Sequence, residues 1–223
     1  MMTWTGATAR LRLSLLIGGL LLLSLALLGY ARLGLGQAKA LDVFGDAPAF
    51  ALTDHLERAT ASDEFRGTVV IANFIYTNCP DICPLLSFRM QALQDRLRQE
   101  GLLGGSVRLL SFTVDPARDT PPVLREYAER HRADPQAWRF LTGPEDVMVP
   151  LVVQGFRLGV QALPPQQTPP TEQGEVPHHD ASYEVIHSGR FVLIDRQWRI
   201  RAYYDGTQLD LEQVVGHIRQ LLP

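Results

Sequence analysis

The sequence predicts an α/β protein: a central sheet flanked by helices, carried behind an N-terminal transmembrane anchor helix. Three observations predict it. From residue 46 onward, short apolar runs rich in β-branched residues alternate with segments of helical period. Ahead of them, Leu13 to Ala31 is a leucine-rich stretch of nineteen residues without a charge. The strongest strand signal, TVVIANFIY, then runs directly into TNCPDICP, which holds both cysteines of the chain, Cys79 and Cys83.

The chain has 223 residues, of which 46% are hydrophobic, enough for one domain with a real core plus extra segments. A net charge of −3 gives no basic footprint and argues against a nucleic-acid partner. Residues 1–12 read as a cytoplasmic N-terminus, 13–31 as a signal anchor and 32–45 as a Gly- and Ala-rich linker. At a rise of 1.5 Å per residue the apolar run covers roughly 28 Å, close to the hydrocarbon thickness of a bilayer. A cleaved signal peptide is the competing reading, with Ala38-Lys39-Ala40 as a small-residue site. The run is long for such a peptide, which favours the anchor, and it has no polar face, which argues against a buried core helix. Arg10 and Arg12 before it balance Arg32 and Lys39 after it, so charge says little about orientation. Both membrane readings put residues 46–223 outside the cytoplasm, on the periplasmic side of the cell inner membrane. A dithiol there oxidises unless a reductant or a metal holds it.

Along the domain, Phe50 and Leu52 predict a short strand, and Gly67 opens the strand Thr68 to Tyr76. Pro84 fits the first helical position, where its missing N–H costs nothing. Leu86, Met90, Leu93 and Leu97 mark one helical face, Arg89, Arg96 and Gln99 lie off it, and Gly101 ends the helix. Val107 to Val114 is a second buried strand, followed by the turn DPARDTPP. Thr120 is placed to cap a helix over Val123 to His131, with Pro121 in its first turn. Trp138 to Leu141 predicts a strand and Glu145 to Phe156 a helix. Residues 163–182, rich in Pro, Gln, Thr, Glu and His, read as a long exposed loop. Phe191 to Asp195 and Trp198 to Tyr204 form a hairpin through Arg196-Gln197, and Leu209 to Leu222 closes the chain as an amphipathic helix. Strands alternating with helices, then a hairpin and a last helix, describe a thioredoxin-like sheet.

Two thiols at a strand-to-helix junction are a chemical arrangement. The helix dipole and the unpaired first-turn N–H groups favour thiolate, which is both nucleophile and soft-metal ligand. A structural disulfide is the bland alternative. Closing a loop of five residues would stabilise the fold by only about 2 kcal/mol on the chain-entropy model, against about 4.7 for a hundred-residue loop. A staple for stability would sit elsewhere.

TNCPDICP, SFTVDPARDTP at Ser111 to Pro121, WRFLTG at Trp138 to Gly143 and YEVIHSGRFVLID at Tyr183 to Asp195 together resemble the Sco/SenC family. The resemblance covers roughly residues 46 to 222. It implies a membrane-anchored, thioredoxin-like copper protein that assists assembly of the CuA centre of cytochrome c oxidase. Its partner would be the oxidase subunit carrying that site. It also implies a copper site made from Cys79, Cys83 and His187, the cysteines doubling as a redox dithiol. The family commonly has Asp before the histidine, and here that position is Ile186, which removes a carboxylate able to orient the imidazole. Asp115 and Asp119 match the family's acidic turn residues, for which turn and cap formation is the expectation.

The residue chemistry agrees with that implication. Two thiolates and an imidazole suit both Cu(I) and Cu(II), although the same set also serves zinc. His178 and His179, followed by Asp180, fall in the Pro-rich loop and read as solvated. Tyr76, Phe88 and Phe191 read as core. Three functions compete: a copper metallochaperone, a thiol–disulfide oxidoreductase that reduces the cysteines of its target, and a thiol peroxidase. The last has no need of His187.

Overall fold

The computed structural model describes residues 16–25, 40–79, 82–158, 160–162, 185–187 and 189–223. These fall into two units, Met1–Ala40 and Leu41–Pro223. In the first, residues 16–25 form a helix (α1) whose leucines are exposed. Among the described residues no helix is long and apolar enough to cross a membrane. The rest of the 13–31 segment and most of the linker lie outside those residues.

The second unit is built on an eight-stranded sheet in the order β1-β10-β9-β4-β5-β6-β2-β3. Its centre is β4 (Val69–Ile75), parallel to β5 (Val107–Thr113), which is in turn parallel to β6 (Trp138–Thr142). Every residue of β4 is buried, as expected of a strand covered on both faces by helical crossovers. On the other side of β4 lies β9 (Arg190–Ile194), antiparallel, followed by β10 (Arg199–Asp205) and the two-residue edge β1 (Gly45–Asp46). The far edge is β2 (Ala51–Asp54) and β3 (Ala59–Ala61). A separate pair, β7 (Val160–Ala162) and β8 (Val185–His187), sets Val160 opposite His187. The thioredoxin-like α/β expectation holds.

The crossover from β4 to β5 is α2 (Ile82–Gln99), and that from β5 to β6 is α3 (Pro121–Arg130). Leu86, Met90, Leu93 and Leu97 all lie fully buried on one face of α2, and Gly101 ends it at φ +68°, a left-handed conformation that favours glycine. Pro84 lies inside the first turn and not at its first position, because α2 begins at Ile82. Thr120 occupies the N-cap position of α3 but makes no side-chain cap bond there. The helix expected over Glu145 to Phe156 is α4 (Glu145–Pro150) continued by a π-helical turn, Leu151–Gly155. Pro150 lacks the N–H that regular α-helix would use, and the register widens beyond it. The closing helix, α5 (Leu211–Leu221), is capped by Asp210, which accepts from the N–H groups of Glu212 and Gln213. Residues 163–182 lie outside the described part.

Two hairpin turns use one device. Asp54 accepts the N–H groups of Leu56 and Arg58 and the Arg58 Nε at 2.8 Å, while Glu57 takes φ 63°. Asp195 accepts those of Gln197 and Arg199 and the Arg199 Nε at 2.9 Å, while Trp198 takes φ 68°. Each buried carboxylate thus holds a left-handed residue that is not glycine.

Candidate metal centre

β4 delivers the chain to the site. Beyond Ile75, the Cys79 N–H donates to the Tyr76 carbonyl at 3.3 Å, turning the chain back toward α2. Cys83 lies in the first turn of α2 and its N–H donates to the Cys79 Sγ at 3.4 Å. One unpaired N–H of the helix start is therefore spent on the partner sulfur, which brings the sulfurs together in the dithiol state. They are not equivalent: Cys83 is fully buried, and Cys79 keeps 9% of its surface.

The electrostatics differ from the expectation of two favoured thiolates. The hydrogen bond with Cys79 pushes the Cys83 thiol up strongly. Burial and the negative charge of Asp119 push the same way, against a bond with the Tyr76 backbone. The helix start does not overcome these. A cation between the sulfurs would, since a coordinating thiol gives up its proton.

Behind the dithiol, the Tyr127 hydroxyl lies 2.8 Å from the Ser87 Oγ and donates to the Cys83 carbonyl at 3.4 Å. Burial pushes the Tyr127 phenol up, so it stays a neutral donor. In front, Asp115 and Asp119 take the structural role expected of them, and Asp119 adds a tie beyond the turn. The Asp119 N–H closes the turn onto the Asp115 carbonyl at 2.9 Å, and Arg118 pairs with Asp115 at 2.8 Å. The Asp119 carboxylate, fully buried, accepts the Thr77 N–H, the Thr77 hydroxyl and the Thr113 hydroxyl. It ties the end of β5 to the loop two residues before Cys79. Burial pushes this carboxyl up, against the hydrogen bonds from Thr113 and Thr77.

His187 ends β8, and its ring lies outside the described part, as do His178, His179 and Asp180. Ile186 lies opposite Gln161 in the β7–β8 pair. What the structure does place is the chain just after the histidine. A Cβ on Gly189 would come 2.5 Å from the Ile82 Cδ1, one residue from Cys83, and the Gly189 carbonyl accepts the Gly206 N–H at 2.7 Å. The segment leaving His187 is thus pressed onto the start of α2, which the missing side chain of glycine permits. Among the described residues no three His, Cys, Asp or Glu side chains converge; the two cysteines do. Tyr76 and Phe191 are core as expected, whereas Phe88 is 60% exposed. It faces away from the packed side of α2.

A thioredoxin-like sheet that presents two cysteines four apart, where its central strand meets a helix, defines a dithiol protein able to take a soft metal or exchange disulfides. The chain belongs to the SCO1/SenC family, whose model matches residues 42–223. It is 29% identical over 147 residues to the SCO1 protein homolog of Bacillus subtilis, the match covering 66% of each chain. Among solved structures, a SCO1/SenC family lipoprotein from Bacillus anthracis superposes with a TM-score of 0.66 at 25% identity, over 79% of this chain and 95% of that one. Yeast Sco1 with copper bound superposes with a TM-score of 0.61 at 27% identity, over 79% and 90%.

Proposed function

We propose that this protein is a copper metallochaperone that holds the metal through Cys79, Cys83 and His187 and delivers it to the CuA centre of cytochrome c oxidase. The observation that carries the reading is the Cys83 N–H on the Cys79 sulfur at 3.4 Å, which pairs two soft ligands at a helix start. Contact of Gly189 with Ile82 supports His187 as the third ligand, since the histidine is only two residues upstream of that contact. Cys79, the less buried of the two cysteines, is the ligand from which an incoming thiolate takes the metal. Copper is cargo here and changes protein by stepwise ligand exchange. Residues 13–31 anchor the chain in the inner membrane, with the domain on the periplasmic side.

The test is metal loading of the purified protein under reducing conditions. Cys79→Ser and Cys83→Ser should each reduce Cu(I) binding to near zero. His187→Ala should abolish or shift the sulfur-to-Cu(II) charge-transfer band while keeping part of the Cu(I) binding, because Cu(I) accepts low coordination. The double variant His178→Ala with His179→Ala should keep that band. Undiminished Cu(I) binding in either cysteine variant would refute the site.

A second reading, thiol–disulfide oxidoreductase, is favoured by the unequal burial of the two sulfurs. Cys79 attacks a target disulfide and Cys83 then displaces the target thiolate. The Cys79–Cys83 disulfide forms as the target gains two electrons and two protons. His187→Ala separates the readings, since exchange should survive it and metal delivery should not.

A further inference from the structure

The face of α2 opposite the core is apolar where it approaches the dithiol. Leu85 is 37% exposed and Phe88 60%, three residues apart and so neighbours on one side of the helix. Helical side chains lean toward the N-terminus, which carries both toward the cysteine loop. At 1.5 Å per residue Phe88 lies about 9 Å along the axis from Ile82, within reach of anything docked over Cys79.

The cation beside them is unspent. Arg89 has a buried Nε with no hydrogen-bond partner, and no carboxylate pairs with it among the described residues. Further along α2 the arginines are engaged: Arg96 pairs with Glu100 and Glu212, and Arg98 with Asp95 and Asp134. Arg89 as a residue is partly exposed, and a carboxylate brought by another molecule gives its guanidinium a charge-assisted bond.

We infer that Leu85, Phe88 and Arg89 form the seat of the protein that exchanges copper with Cys79, and that this partner presents there an apolar side chain and a carboxylate close to its own cysteine. The inference rests on the metallochaperone reading. Ligand exchange requires the incoming sulfur to bond to the copper as the bond from Cys79 breaks, so the partner must cover the surface beside Cys79 during transfer. An apolar centre next to a single unpaired cation fits an acidic protein surface.

The experiment follows copper leaving the full-length, Cu(I)-loaded protein in detergent toward two acceptors. One is the purified soluble CuA domain of the oxidase's second subunit, and the other is the small chelator bathocuproine. Phe88→Ser and Arg89→Glu should each slow transfer to the CuA domain about tenfold at limiting acceptor, with transfer to the chelator unchanged. Arg89→Lys should recover most of the rate, and Val149→Ser, exposed on α4, should change neither. Equal rates to the CuA domain in all variants would overturn the seat, as would equal slowing toward both acceptors, which marks local damage. Self-association lost in Phe88→Ser would reassign the face to a second copy of this chain. A wild type that loads no copper would overturn the metallochaperone reading itself, and this appears at the loading step before any variants are compared.

Discussion

The Thr77 hydroxyl donates to the Asp119 carboxylate at 2.5 Å, and the Thr77 N–H reaches both oxygens of that carboxylate at 3.2 Å. The loop carrying Cys79 is thereby fastened to the turn after β5 by a buried acid bonded to neutral donors. Asp119→Ala would leave the Thr77 and Thr113 donors without their acceptor, at a cost of about 3 kcal/mol. Asp119→Asn keeps an acceptor and should cost less. Chemical denaturation checks the order, and Cu(I) affinity should fall in step with it, because the metal needs the loop in place.

Gly206 and Gly189 set how closely the strand after His187 approaches α2. A Cβ on Gly206 would lie 2.3 Å from the Leu86 Cδ2, 2.6 Å from the Gly189 carbonyl oxygen and 2.8 Å from the Phe191 Cε2. The carbonyl is backbone and cannot swing aside. On Gly189 the nearest contact is the tip of the Ile82 side chain, which can. Gly206→Ala should therefore destabilise by about 2 kcal/mol and Gly189→Ala by less. Thermal unfolding measures both, and the Cu(II) spectrum of Gly206→Ala should be perturbed even where the protein folds.

Stability should fall on acidification through Asp195. Burial pushes this carboxyl up, but bonds from the Arg199 side chain and N–H and from Arg201 outweigh it and leave it below the ordinary carboxylate range. A group depressed in the folded state contributes stability that is full above its unfolded pKa, near 4, and lost as pH falls through the folded value. Asp54, buried and bonded to Arg58, behaves alike. Asp195→Asn should lower stability at neutral pH and flatten the loss below pH 4, measured by urea denaturation across pH. An acid slope identical to wild type would show that Asp195 does not carry this linkage.

The central strands were legible because they are buried almost throughout, and α2 because its buried residues fall on one face. β4 and β5 read as apolar runs, and the Leu86–Met90–Leu93–Leu97 stripe marks its own helix. The edges were not legible. β1, β3, β7 and β8 have two or three residues each, and partners rather than composition define them. At the site, residue type alone exposed the cysteines, since they are the two in the chain. The Thr77–Asp119 tie spans 42 residues and leaves no local pattern. Phe88 misled because an aromatic residue on a helix reads as core, while the packed face of α2 was already filled.

The unequal cysteines give the final prediction. Cys79 keeps some exposure, whereas Cys83 is enclosed by the fold and its thiol is pushed up by Cys79 and by burial. Reactivity follows thiolate fraction and access together, and both count against Cys83. In the reduced, metal-free protein, iodoacetamide should modify Cys79 first, by tenfold or more in rate, as read by peptide mass spectrometry. Cys83→Ser should accumulate a stable mixed disulfide at Cys79 with a model disulfide, because the second thiol that would release it is gone. Cys79→Ser should react slowly with the same reagent until the fold is loosened by denaturant. Faster labelling of Cys83 would invert the roles, making the helix residue the attacking thiol and the loop residue the one that resolves.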